Sequence, residues 1–316
     1  MAGLGSRAGV SGPGAELRIL LKVVLNRRLR PCLGRCFGSI FYNFFFCQYR
    51  ADLARRFNMA GRIPVSTVDH ELDGLIPFSP GWVTVYLDFV GLWVRMLGSL
   101  LERFGKRSWD AAAGFLDTMA DLYRFAAMVY QKNLSTTARP FYIRRFRFLV
   151  IHLFDPHLMC IPSLHVMVVI LTYTRFRRFL AELGGGEMDR REMDRREMDG
   201  GEAAGSLAAE ECRRRALDIT EAILYVKQHS VNCVAAAMYA MTCFDRAQFP
   251  PEEAEDFVSG LFSGGSVCTA ALPRIGGEAA EAVRGHILSL YRHFLSQGGD
   301  GTEGWEKPLL EFLKQS

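Results

Sequence analysis

The most apolar helix-length stretch of this chain, Trp82 to Leu101, carries Asp88 and Arg95 seven residues apart, and that pair constrains the fold more than any other feature. As a helix it would be about 30 Å long, enough to cross a bilayer. Seven residues is two helical turns, so both charges share a face. Charged groups in lipid cost about 2.5 to 3.5 kcal/mol each on insertion scales, so that face has to meet protein or water. The next stretch, Phe115 to Gln131, repeats the pattern with Asp117, Asp121 and Arg124 on one stripe and Met119, Leu122, Phe125 and Met128 around the rest of the cylinder. Such stripes suit the interior of a helical bundle. Nowhere do 18 uncharged apolar residues run together, so a soluble protein of amphipathic helices stays open as the alternative.

Composition leaves the choice between membrane and solvent to these local segments. Hydrophobic residues make up 49% of the 316, with 23 Phe, yet mean hydropathy is only +0.07. Basic clusters give a topology: Arg18, Lys22, Arg27, Arg28 and Arg30 precede an aromatic run from Phe37 to Phe46, Arg103, Lys106 and Arg107 follow the Trp82 helix, and Arg175, Arg177, Arg178 and Arg213 to Arg215 flank a central linker. In a six-span arrangement all of these fall on the cytoplasmic side, whereas Arg50, Arg55, Arg56 and Arg62 fall outside. A net charge of +4 suits anionic headgroups and is too small to point to nucleic acid. The eight cysteines form no Cys-x-x-Cys pair and read as small hydrophobes. The first apolar run, Ile19 to Leu25, is short and broken by Lys22, so no secretory signal is evident.

Residues 1–16, rich in Gly, Ala and Ser, read as a disordered N-terminus. Residues 17–246 form the principal helical domain, interrupted at 183–210 by a linker in which Glu-Met-Asp-Arg-Arg starts at Glu187, recurs at Glu192 and begins again at Glu197. Residues 247–316 read as a soluble helical extension: Pro250-Pro251-Glu252-Glu253 opens one helix, Gly276 to Ser296 gives a second, and Trp305 to Lys314 a third. His286 and His293 lie seven apart on it without a carboxylate partner, which gives no metal signature.

Three clusters carry chemistry: Lys132 with Arg139-Pro140, Pro162-Ser163-Leu164-His165 with Asp155 and Cys160 upstream, and Lys227-Gln228-His229. Pro162 is suited to start a helix with Ser163 near its cap and His165 in its first turn, where free backbone N–H groups favour phosphate oxygens. Lys132 and Arg139 would share a face if helix continued through them, but Arg139 precedes proline, so a helix would end there and let the arginine turn inward.

In order and spacing these clusters resemble the type 2 phosphatidic acid phosphatase superfamily, and in particular its inositol- and choline-phosphate lipid transferase branch. The likeness covers roughly residues 70 to 240 and includes Leu72 to Phe78 and Tyr86. The third cluster is partial: Ile223 stands where the superfamily has an arginine and Cys233 where it has an aspartate. The resemblance implies an all-α, polytopic membrane helical bundle of about six helices, multi-pass in the cell membrane, with a soluble helical C-terminal tail. It implies a phosphatase or phosphotransferase acting on a lipid phosphate, with His229 as nucleophile, His165 as general acid, and Lys132, Arg139 and Ser163 binding phosphate. Neither metal nor cofactor is implied, and oligomeric state is left open. A carboxylate one turn beyond the nucleophile would fix its tautomer, and Asn232 is one position off that face. Lys227 could stand in part for the arginine missing at Ile223. The departures at 223 and 233 leave two further readings: a catalytically impaired relative that binds anionic lipid headgroups, and a soluble helical interaction protein with chance matches.

Overall fold

A computed structural model describes residues 13–59, 62–154, 157–184, 201–266, 269–298 and 303–316. Among the described residues helix accounts for 74% and strand for 3%, so the fold is all-α. The order is α1 (Pro13–Leu25), α2 (Arg30–Tyr42), a π-helical segment (Asn43–Tyr49), α3 (Arg50–Arg56), β1 (Val65–Thr67), a 3₁₀ turn (Glu71–Leu75), α4 (Val83–Tyr86), α5 (Asp88–Phe104), α6 (Trp109–Tyr130) and β2 (Leu134–Thr136). Then come α7 (Phe146–Phe154), α8 (Leu164–Gly184), α9 (Gly201–Tyr225), α10 (Val231–Phe244), α11 (Pro251–Gly260), α12 (Gly277–Gly298) and α13 (Glu306–Gln315).

α8 and α10 sit at the centre. α8 packs against α5, α6, α9 and α10, and α10 in turn against α12. α10 is buried on every side from Val231 to Thr242, and its Ala235-Ala236-Ala237 run lets neighbouring helices approach closely. A helix apolar all round belongs in the core. β1 and β2 form a two-stranded parallel pair, Val65 opposite Leu134, and Ser135 bridges onward to Met159.

The charged face of α5 turns inward, as its spacing predicts. Arg95 bonds Asp88 at 2.8 and 2.6 Å and Glu16 of α1 at 2.7 Å, and Arg215 of α9 lies 3.5 Å from Asp88. The stripe on α6 does the opposite. Phe115, Leu116, Met119, Leu122, Tyr123, Ala126 and Tyr130 take the core side, which leaves the charges outside. Asp121 and Arg124 pair with each other at about 60% exposure, and Asp117 meets Arg35 of α2. The two stripes look alike in sequence, and only α5 has charged neighbours on two other helices to receive its own.

Four boundaries differ from the sequence reading. Residues 13–16 belong to α1, held by the Glu16–Arg95 contact. Residues 201–210 of the expected linker are helical, continued by Glu210–Arg214 and Glu211–Arg215 pairs one turn apart. The repeat itself and residues 1–12 lie outside the described residues. The C-terminal helices are no appendage: Phe257, Ile287, Tyr291, Phe294, Trp305 and Leu309 join the same buried core as α5 to α10. Two of the arginines read as cytoplasmic flanks help to fasten them, Arg177 to Glu253 and Arg213 to Asp256, while Arg175 pairs with Asp245 at the end of α10. Finally, α6 ends at Tyr130, so β2 separates Lys132 from Arg139 and no helix face joins them.

One helical run among the described residues, Pro80–Tyr130, contains a stretch long and apolar enough to cross a membrane by length and composition. Just over half of that stretch, 56%, is buried inside the fold. Large apolar side chains are also exposed over α1 to α3 and around α7, among them Phe37, Phe41, Phe45, Phe46, Phe141 and Phe146.

Candidate active site

Two of the sequence-predicted residues meet directly. His165 Nδ1 lies 3.2 Å from His229 Nε2, with the rings edge to face. His165 comes from the first turn of α8, which begins as expected after Pro162 and Ser163, the Ser163 carbonyl accepting the Met167 N–H. His229 comes from the tight turn joining α9 to α10. That turn is built by Lys227 in the left-handed region, φ +56°, and by Ser230, whose hydroxyl caps α10 by accepting the Asn232 N–H. Asp73 reinforces the cap, its Oδ1 accepting the Val231 N–H at 2.9 Å. The Leu72 to Phe78 segment therefore serves to hold the histidine turn in place.

Behind the imidazole pair stands Tyr86, its hydroxyl 3.1 Å from His165 Nε2. His157 lies on the other side, 3.7 Å from Cys160 Sγ and 2.8 Å from Thr137 Oγ1. Burial is the first cause that holds the His229 ring well below its ordinary 6.5, followed by the imidazoles of His165 and His157; the Cys160 backbone pulls weakly the other way. His229 is therefore a neutral imidazole near neutral pH.

The pair closes the inner end of a cavity of about 350 Å³, within the size range of small-ligand pockets, about 300 to 1,000 Å³. Its walls are Phe44, Leu87, Phe89, Trp93, Tyr123, Ile151, Met159 and Leu164, with Phe37 and Val90 exposed where it opens. No lysine, arginine or carboxylate lines it among the described residues. Asn43 and Gln48 of the π-helical segment lie on one wall, Asn43 donating to the Ser39 and Tyr123 carbonyls and Gln48 accepting from Leu158 N–H.

The proposed phosphate ligands are distributed unevenly. Arg139 is close: its Nη1 donates to Gln228 Oε1 at 3.1 Å, one residue from His229. Ser163 is fully buried with a hydroxyl that meets no partner among the described residues. The same holds for Gln228 Nε2 and His229 Nδ1. All three lie within two residues of His165 or His229 in the chain, and unmatched buried polar atoms mark places where a ligand or water completes the bonding. Lys132 lies apart from this group, half-exposed and paired with Glu306 of α13 at 2.8 Å. Asp155 lies outside the described residues.

Two substitutes considered from sequence are engaged elsewhere. Lys227 Nζ donates to the Asp73 and Ile76 carbonyls, so it cannot replace the arginine missing at Ile223. Asn232 bonds the Val68 carbonyl and His286 Nε2, so among the described residues His229 has no side-chain partner on its second nitrogen. Tyr86 and His157 were not picked out as site residues from sequence. Only the short His157-x-x-Cys160 spacing hinted at the latter.

No family model, no curated protein and no solved structure matches the chain.

Proposed function

We propose that the protein is a membrane-bound phosphatase or phosphotransferase for a phosphate ester with an apolar tail. The observation that carries this reading is the neutral His229 in contact with His165 at the end of an apolar cavity. A neutral imidazole has a lone pair that can attack phosphorus. At 3.2 Å the two rings leave no room for a phosphoryl group, so the substrate parts them. His229 Nε2 then bonds to phosphorus as the ester P–O bond breaks, and His165, oriented by Tyr86, delivers a proton to the leaving oxygen. Water or a second hydroxyl next attacks the phosphohistidine, giving its proton to His165, which restores both rings. The apolar walls take the tail, while Arg139, Ser163 and the Gln228 amide supply donors to the phosphate. Lys132 belongs to this set only if its bond to Glu306 opens.

Membrane residence, in a multi-pass arrangement, is part of the same reading. It is supported by the Pro80–Tyr130 run and by the exposed aromatic side chains of α2 and the π-helical segment, of which Phe37 lines the cavity, where an acyl chain could pass from lipid to the histidines. The exposed Asp121–Arg124 stripe would then face water or another protein surface, since lipid would not tolerate it.

The test is phosphate release from a short-chain phosphatidic acid in mixed micelles by the full chain, with acid-quenched trapping of a phosphoenzyme. His229→Ala is expected to abolish both signals, and His165→Ala to lower release by at least about a hundredfold, the usual contribution of a general acid. Unchanged release in both variants rejects the reading. Among the described residues no carboxylate stands beside His229 Nδ1, which favours a second reading, a lipid-phosphate binder with eroded catalysis. Binding without turnover, with turnover appearing in Cys233→Asp, would establish that one instead.

A further inference from the structure

Where a carboxylate would orient His229 the chain carries a thiol, and a second thiol faces the same ring. Cys160 Sγ, Cys233 Sγ and a ring nitrogen of His229 all lie within 4.8 Å of one another, and all three residues are buried. His229 Nε2 is engaged by His165, whereas Nδ1, in a residue only 6% exposed, meets no hydrogen-bond partner among the described residues. Two thiols and an unmatched imidazole nitrogen are the donor set of a soft or borderline cation: Zn–S bonds of about 2.3 Å and Zn–N bonds of about 2.0 Å place tetrahedral donors roughly 3.5 Å apart, a small inward adjustment from the present spacing.

We propose that Cys160, Cys233 and His229 Nδ1 form a zinc site. Charge supports the assignment. Two thiolates neutralise a divalent ion, so the complex can stay in an apolar interior without the large cost of an uncompensated charge. Binding makes two Zn–S bonds and one Zn–N bond and releases the two thiol protons to solvent. The fourth position is open to the cavity, which Cys160 and His229 both line and which provides the entry path. A water molecule would fill it, and His157, 3.7 Å from Cys160 Sγ, is placed to bond that water or replace it.

The site goes beyond the phosphate reading and does not depend on it. With zinc on Nδ1, a neutral imidazole keeps its single proton on Nε2 and donates it to His165 Nδ1. It then has no lone pair for phosphorus. Zinc-bound and nucleophilic forms of His229 therefore exclude each other, and the metal would act as a reversible block on phosphoryl transfer.

The test uses the full chain, purified under reducing conditions, loaded with Zn²⁺ or Co²⁺ and desalted. One zinc per chain is expected, and the cobalt form should show a thiolate-to-metal charge-transfer band with visible bands of tetrahedral intensity. Cys160→Ser and Cys233→Ser should each lose the metal, while Cys243→Ser, on the same helix as Cys233 and outside the cluster, keeps it. Cys233→Asp, which retains a ligand but exchanges sulfur for oxygen, should hold cobalt with the charge-transfer intensity about halved, in proportion to the thiolates remaining. A wild-type chain that retains no metal, or a cobalt spectrum without thiolate bands, overturns the proposal, as does undiminished metal in both serine variants. Metal content is read without substrate, so a chain that binds zinc but releases no phosphate would defeat the phosphatase reading alone, and the reverse result would defeat only this one.

Discussion

His286 shows how position sets the protonation of one side chain. Its ring stacks on His70 with centroids 3.8 Å apart, and its Nε2 meets Asn232 Oδ1 at 2.7 Å. Burial first, and then the His70 ring, push its proton affinity below the ordinary 6.5, while Asp73 and Glu71 oppose them. A base depressed in the folded state binds its proton more readily when unfolded. Its contribution to stability is therefore complete above about pH 6.5 and is lost as pH falls below that value, with a slope of up to about 1.4 kcal/mol per pH unit for one proton. Denaturant unfolding between pH 7.5 and 5 should show this loss together with that of the more deeply buried His229, and His286→Gln should lower the slope without abolishing it. An equal slope in the variant would assign the effect to other groups. At this scale the sequence was informative where chemistry is local to a motif. Pro162 to His165 foretold a helix start with an imidazole in its first turn, and that is what forms. Lys227 misled, because nothing in Lys-Gln-His reveals that a left-handed turn sends the amine to the Asp73 and Ile76 carbonyls.

Among elements, the clearest junction is the one Arg274 makes between α9 and the segment leading to α12. Its guanidinium bonds Asp218 at 2.6 Å and Glu221 at 2.8 Å, both on α9 and buried, and lies over the Trp82 ring. Asp218 also accepts from the Ser266 N–H and Thr269 hydroxyl, and Glu221 from the Phe262 N–H. Removing the arginine leaves two buried carboxylates without a counter-charge, so Arg274→Met should cost about 3 to 5 kcal/mol in chemical unfolding. The triple variant Arg274→Met, Asp218→Asn, Glu221→Gln should recover much of that loss. If it recovers nothing, the arginine acts through its contact with Trp82. The junction was not legible beforehand. Asp218 and Glu221 are three apart on a helix, a spacing that singles out neither, and their partner lies more than fifty residues on. Sequence periodicity finds the face of a helix, but the identity of what covers it is a property of the pair.

At the scale of the molecule, the proposed membrane residence has a direct check. The full chain expressed in cells should sediment with membranes and stay there through high-salt and alkaline washes, which remove proteins held by charge alone. Release by salt would reduce the exposed aromatic surface to a peripheral contact. The all-α class was legible because helical spacing pervades the chain, and the inward face of α5 was legible because its charges had to find partners. The extent of the core was not, since the amphipathic pattern of α12 would suit a free-standing helix as well as one packed on α10. The cavity itself rests on a detail of winding. Asn43 and Gln48 stand five residues apart and occupy the same wall only because the segment between them is π-helical, with i to i+5 bonds. In ordinary α-winding they would diverge by about 140°. The segment holds one surplus residue, so excising a position between the two amides would let the coil tighten to ordinary winding with the pair four apart, about 40° from each other, and would keep both in the chamber without altering any atom of the histidine pair.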